Sequence, residues 1–134
     1  MKLYTSYFAN KIKLPPDRTI SIAITAYTPD WWNGDTLSIV APPKELVLYY
    51  KNLKNKRDTD FEKLKDFYIE YYTKTILNKL NPNELYSALE NIASIQNKEN
   101  VVLLCFEKSS DFCHRHVLRD WLQHYGIQCE ELNY

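Results

Sequence analysis

Val101–Tyr125, VVLLCFEKSSDFCHRHVLRDWLQHY, decides the fold. The run from Val101 to Phe106 is apolar and rich in β-branched residues, which suits a buried parallel strand covered on both faces. Glu107-Lys108-Ser109-Ser110-Asp111 is a polar turn, with Ser109, Ser110 or Asp111 available to cap the next element. Beyond it Val117, Leu118, Trp121, Leu122 and Tyr125 recur at helical spacing, and Gly126 supplies a left-handed stop. Ile127 to Leu132, IQCEEL, reads as another short strand, so the segment closes a β-α-β unit with a right-handed crossover.

Cys113, His114 and Arg115 open the helix, at the carboxyl end of a strand, where open α/β sheets place their ligand crevice. Unpaired N–H groups and the positive end of the helix dipole favour a thiolate or a bound phosphate there. Arg115 adds a planar fork for phosphate or carboxylate, and His114 an acid, base or ligand. Glu107 is placed to orient the imidazole or to hold Arg115. A packing role competes at each position: Cys113 as a small buried hydrophobe, His114 on the face of Leu118, Trp121 and Tyr125, Arg115 in a pair with Asp111.

Outward from this block, Lys2 to Ser6 and Ile20 to Ala26 read as strands, separated by a loop from Asn10 to Arg18. Thr28 to Asp35 is a turn-rich loop carrying Trp31 and Trp32, which either stack a nucleobase on the rim of the crevice or pack over the core. Pro42-Pro43 opens a helix from Lys44 to Leu53. A longer helix is expected from Thr59 to Leu80, broken by Asn81-Pro82, and Pro82 starts another carrying Leu85, Leu89, Ile92 and Ile95. The expected fold is a single α/β domain spanning residues 1–134. It has a small, mostly parallel sheet of about four or five strands with helices on both faces.

At 134 residues the chain is long enough to bury one core. No apolar stretch approaches the roughly 20 residues that span a bilayer, and MKLYTSYFANKIK has no signal-peptide core, so a cytoplasmic protein without membrane contact is expected. Three cysteines without paired spacing argue against a disulfide framework. Cys105 reads as an inert mid-strand residue and Cys129 as packed beside Ile127. The formal net charge is zero, yet residues 1–80 carry 13 Lys and Arg against 9 Asp and Glu, while residues 81–134 carry 4 against 8. Lys51 to Arg57, KNLKNKR, is either a phosphate-facing patch or a solvated helix end.

LLCFEKSSDFCHRHVLRDWL, followed by a glycine and a short strand, resembles the C-terminal signature of the YeaO-like proteins, the domain-of-unknown-function family numbered 488. That family's pattern is an apolar strand ending in Leu-Cys-x-Glu, a polar loop, then Cys-His-Arg opening a helix. The matching positions are Leu104, Cys105, Glu107, Cys113, His114 and Arg115. LYTSYFANKIKLPPDRTISIAITAYTPDWWNG, with Ala41-Pro42 further on, resembles a phage or Firmicute-type branch, in which a basic residue often follows the second strand. Here Ala23-Ile24-Thr25-Ala26 departs from that pattern. The resemblance implies the fold and the site and supplies no reaction.

Three functions remain. The leading one is an enzyme acting on a phosphorylated or nucleotide-like substrate, a small molecule or part of a nucleic acid. Arg115 and the helix N-terminus hold the anion, Trp31 and Trp32 contact the substrate, Cys113 is nucleophile or His114 acid/base, and Glu107 is the orienting carboxylate. The Cys–Arg spacing differs from the tyrosine-phosphatase loop, and with only Gly34 and Gly126 there is no Gly-rich phosphate loop; no cofactor is indicated. The second is a non-enzymatic module binding a nucleotide, a nucleic-acid end or an acidic protein segment on the same rim. The third makes Cys113, His114 or His116, and Glu107 ligands of zinc or iron, although no CxxC pair supports a closed site.

Overall fold

Burial alternates along the strands and so assigns each residue to one side of the sheet. In the computed structural model, which describes residues 1–132, the strands are β1 (Lys2–Tyr7), β2 (Thr19–Ala23), β3 (Asp35–Thr36), β4 (Asn100–Cys105) and β5 (Glu130–Glu131). They form one parallel sheet in the order β3-β2-β4-β1-β5. The helices are α1 (Lys44–Lys54), α2 (Phe61–Thr75), α3 (Pro82–Ile95) and α4 (His114–His124). The α/β class and the small parallel sheet are as read from the sequence.

β4 is the central strand and is buried at every position. β1 runs beside it from Lys2↔Asn100 to Tyr7↔Cys105, and β2 from Thr19↔Asn100 to Ala23↔Leu104. Val101 and Leu103 join Leu46, Tyr72, Leu89 and Leu118, one from each helix, in the main core. Val102 and Leu104 point the other way, into a smaller cluster with Leu132 that is closed by Tyr4, Phe8, Ile12, Leu14 and Trp32. Loop, not helix, therefore covers this second face. Right-handed crossovers explain it: β3→β4 and β4→β5 travel the same way across the sheet, so their helices share a side. β1→β2 travels the opposite way, with a connection that holds only a short 3₁₀ turn, Pro16–Arg18.

Local chemistry sets the helix ends. Asp60 caps α2 by accepting from the Lys63 N–H, and Asn81 caps α3 by accepting from Asn83 and Glu84. α2 is shorter than the expected Thr59–Leu80: it ends at Thr75, and Leu77–Lys79 forms a separate 3₁₀ turn whose Leu77 is fully buried. The last strand is shorter too, only Glu130–Glu131 of the expected Ile127–Leu132. β2 stops at Ala23 instead of Ala26. The carbonyl of the next residue, Ile24, is occupied by a side chain of the functional site.

Candidate functional site

The site is built where β4 ends and α4 begins. Cys113 is the residue preceding α4, in extended conformation (φ −152°, ψ 150°), and takes the cap position expected of Ser109, Ser110 or Asp111. Ser109 is engaged elsewhere, its hydroxyl donating to Glu131 at 2.6 Å. The apolar face of α4 buries His114, Arg115, Leu118 and Leu122, which draws two members of the trio inward.

His114 Nε2 lies 2.6 Å from the Ile24 carbonyl oxygen. A carbonyl only accepts, so Nε2 carries the proton and Nδ1 presents a lone pair. That lone pair faces Cys113 Sγ at 3.6 Å. Burial is the main force lowering the His114 pKa to about 4, helped by the charges of Arg115 and His116 and opposed by the bond to Ile24. His114 is therefore a neutral base at physiological pH.

The depressed pKa predicts acid sensitivity. The unfolded chain takes up a proton on this residue near pH 6.5, whereas the folded chain resists until about pH 4. The contribution to stability is complete above pH 6.5 and disappears as pH falls toward 4, a loss of about 3 kcal/mol. Denaturant midpoints at pH 7 and pH 4.5 should show it, with a smaller loss in His114→Gln. Equal midpoints for the native chain would contradict it.

Arg115 is wholly buried and does not line the cavity described below. Its Nε and Nη2 grip the Glu131 carboxylate at 3.0 and 2.8 Å, and Nη1 lies 3.0 Å from Cys105 Sγ. Glu131 also accepts from the Thr5 hydroxyl at 2.6 Å. Burial pushes the Glu131 pKa up, but the hydrogen bonds from Arg115, Ser109 and Thr5 and the guanidinium charge together hold it below the usual range. Arg115 thus braces the turn instead of offering a free fork to an anion. The partner expected for it, Glu107, is replaced by Glu131 from β5.

Cys105 closes β4 beside this guanidinium, and its sulfur is joined to that of Cys113 as a disulfide. The expectation of an inert Cys105 and unpaired cysteines is corrected: the strand–loop–helix turn brings together residues eight apart in sequence. Cys129 is buried and free, its pKa pushed up to about 12 chiefly by burial.

Cys113 and His114 form one wall of a cavity of about 200 Å³. Tyr27, Tyr50, Tyr68, Phe106 and Phe112 supply aromatic walls, Lys51 and Lys54 cations, and Glu107 a carboxylate. Burial, with Glu107 and Asp111 nearby, raises the pKa of Tyr50. Thr25 also lines the cavity, and its buried hydroxyl has no hydrogen-bond partner among the described residues. Glu107 faces the same space as Cys113 and His114, although the Ile24 carbonyl, not Glu107, orients the imidazole.

Trp31 and Trp32 do not line this cavity. Trp32 packs on Phe8 over the second face, and a Cβ at Gly34 would meet its indole at 2.6 Å, so a larger residue there would displace the indole. Trp31 remains 65 % exposed, edge-on to Phe8. The tyrosines, Phe112, Thr25 and Glu131 were not marked by the sequence as site residues. Tyr50 and Tyr68 sit on helical stripes that core packing alone explains, and only the packing of α1 and α2 turns them to the cavity.

The metal-ligating atoms brought together are those of Cys105, Cys113 and His114, all within 4.8 Å of one another. Glu107 and His116 do not belong to this group. His116 instead donates from Nε2 to the Asp111 carbonyl at 3.1 Å.

Residues 15–126, including the whole Cys105-to-Arg115 turn, match the family model described as the active DUF488-N3 subclade. The chain belongs to the DUF488 family. No curated protein and no solved structure matches it. Within this family member, the six positions on which the resemblance rested divide in two: Glu107, Cys113 and His114 line the cavity, while Leu104, Cys105 and Arg115 are buried and do not line it. No described helix is long and apolar enough to cross a membrane.

Proposed function

We propose that this protein is an enzyme acting on a phosphorylated or nucleotide-like substrate in the aromatic cavity, with Cys113 as nucleophile and His114 as its general base. The observation that carries this is the Nδ1 lone pair of a neutral, oriented imidazole held 3.6 Å from Cys113 Sγ at the cavity wall. The thiol proton passes to Nδ1 as sulfur bonds to the electrophilic carbon or phosphorus, and the leaving group departs with its electron pair. The disulfide must first be opened by two successive exchanges with an external thiol, which is itself oxidised to a disulfide, since the S–S bond ties up the nucleophile. Aromatic walls suit a flat ring, the Thr25 hydroxyl suits a polar ring substituent, and Lys51 and Lys54 suit a phosphate. Arg115 acts as a positioning residue. The name of the matched subclade, which calls it active, supports an enzyme over a binding module.

The test is calorimetric binding of nucleoside monophosphates and of the matching nucleosides to the reduced protein. A phosphate held by both lysines predicts that Lys51→Ala with Lys54→Ala weakens the monophosphate by about tenfold or more and leaves the nucleoside unchanged. No binding of any of them removes the reading. A second reading, a metal centre, is favoured by the Cys105, Cys113 and His114 cluster. Stoichiometric zinc or iron in protein purified under reducing conditions without added metal selects it, because coordination leaves neither sulfur free to attack.

A further inference from the structure

Phe106 belongs to two aromatic systems. It lines the cavity beside Cys113, and its ring lies 5.1 Å from that of Phe8, which in turn lies 6.0 Å from Trp31. The rings run outward from the cavity: Phe106 at its mouth is 47 % exposed, Phe8 is partly buried over the second face, and Trp31 at the outer end is 65 % exposed. A mononucleotide filling the cavity would cover Phe106 and leave Trp31 bare. The cavity also carries Lys51 and Lys54, and the Lys44 ammonium stands 5.3 Å from the Tyr27 ring. Glu107 is the carboxylate among the cavity residues.

We propose that the substrate is a single-stranded nucleic acid, one base entering the cavity and its neighbour stacking on the Phe106–Phe8–Trp31 track. This rests on the nucleotide-like reading above and deepens it. Every base has a π-face, so a run of exposed rings binds a strand without reading its sequence, while cations beside the rings follow the backbone. The pattern here has the same two parts: aromatic rings leading out of a cavity sized for a ring, and lysines of α1 at the cavity itself. A small phosphorylated molecule confined to the cavity would leave Trp31 unused.

The experiment measures fluorescence anisotropy of a labelled, mixed-sequence pentadeoxynucleotide on the reduced protein, competed by the four deoxynucleoside monophosphates. The pentamer is expected to bind at least about tenfold more tightly than any monophosphate, an increment of one stacked base. Trp31→Ala should abolish that increment and leave monophosphate binding intact, and Trp31→Phe should restore most of it. Affinity for the pentamer should fall with salt at a log–log slope of about −1.4, two phosphates' worth, and lose that dependence when Lys51 and Lys54 are alanine. Equal affinity for pentamer and monophosphates, or a pentamer indifferent to Trp31→Ala, overturns the strand proposal while the cavity reading stands. If monophosphates and pentamer both fail to bind, both fall.

Discussion

Arg115→Ala should destabilise the fold by about 3–5 kcal/mol, because it strands the Glu131 carboxylate, whose side chain is only 10 % exposed, without its bidentate partner. In a chain of this length that lowers the melting temperature by on the order of 10–20 °C. The guanidinium is itself fully buried and donates to a carboxylate and a sulfur together, so lysine cannot replace it. Arg115→Met combined with Glu131→Leu should recover most of the loss, since both charges are then gone and the volume stays filled. The opposite role, an anion-binding arginine, predicts a melting temperature within a few degrees of native and a large loss of ligand affinity. Thermal melts and ligand titrations on the three chains separate the two. Acid should weaken the pair as well. Glu131 has a depressed pKa, so its contribution is present above the unfolded value of 4.5 and is lost as pH falls through the folded one.

Cys113→Ser should abolish turnover in the reduced protein and leave ligand binding nearly intact, whereas a binding module predicts that nothing is lost. A direct readout precedes any substrate: site-resolved alkylation of the three thiols against pH. Cys113, which lines the cavity, should react much faster than the buried Cys129 at pH 7–8. Cys129, pushed up to about 12 by burial, should stay inert in the folded chain. His114→Gln should slow Cys113 by less than the roughly 10²–10⁴-fold of a base matched to neutral pH, because an imidazole with a pKa of about 4 is a weak proton acceptor. Because the imidazole is neutral down to about pH 4, its assistance should persist across pH 5–8 and fade only below. A Cys113 as inert as Cys129 after reduction, with no metal present, would leave the cavity without a nucleophile.

The central strand was legible because a buried parallel strand must be apolar on both faces, and VVLLC has no polar position. The helix after it was legible from Leu118 and Leu122 at one-turn spacing. Asn81-Pro82 marked the start of α3 because a capping side chain followed by a residue lacking an N–H has few other uses. The cover of the second face was not legible, since the side on which a helix packs follows from strand order, which no local pattern encodes. Among the candidate site residues, Cys113, His114 and Glu107 were found by their types at a strand-to-helix turn. Glu131 was missed because it lies in a two-residue strand of no distinctive pattern, and Cys105 was read as packing because a cysteine in a run of valine and leucine has the composition of a core residue.

By itself, then, the sequence determined that a strand–turn–helix unit places Cys-His-Arg at a helix start, and family membership follows from the same block. Local propensity and covalent adjacency suffice for that. Only tertiary structure decided what each member of the trio does. His114 became a neutral imidazole with a free Nδ1 lone pair because the Ile24 carbonyl, 90 residues away in sequence, accepts a hydrogen bond from its Nε2–H. Arg115 became a brace because β5 returns beside β1 and delivers Glu131. Cys113 became the cavity's sulfur because α1 and α2 close over it. Each of these roles is set by a hydrogen bond or a wall from a distant segment, and a proton's location depends on the partner that meets it rather than on the residue that carries it.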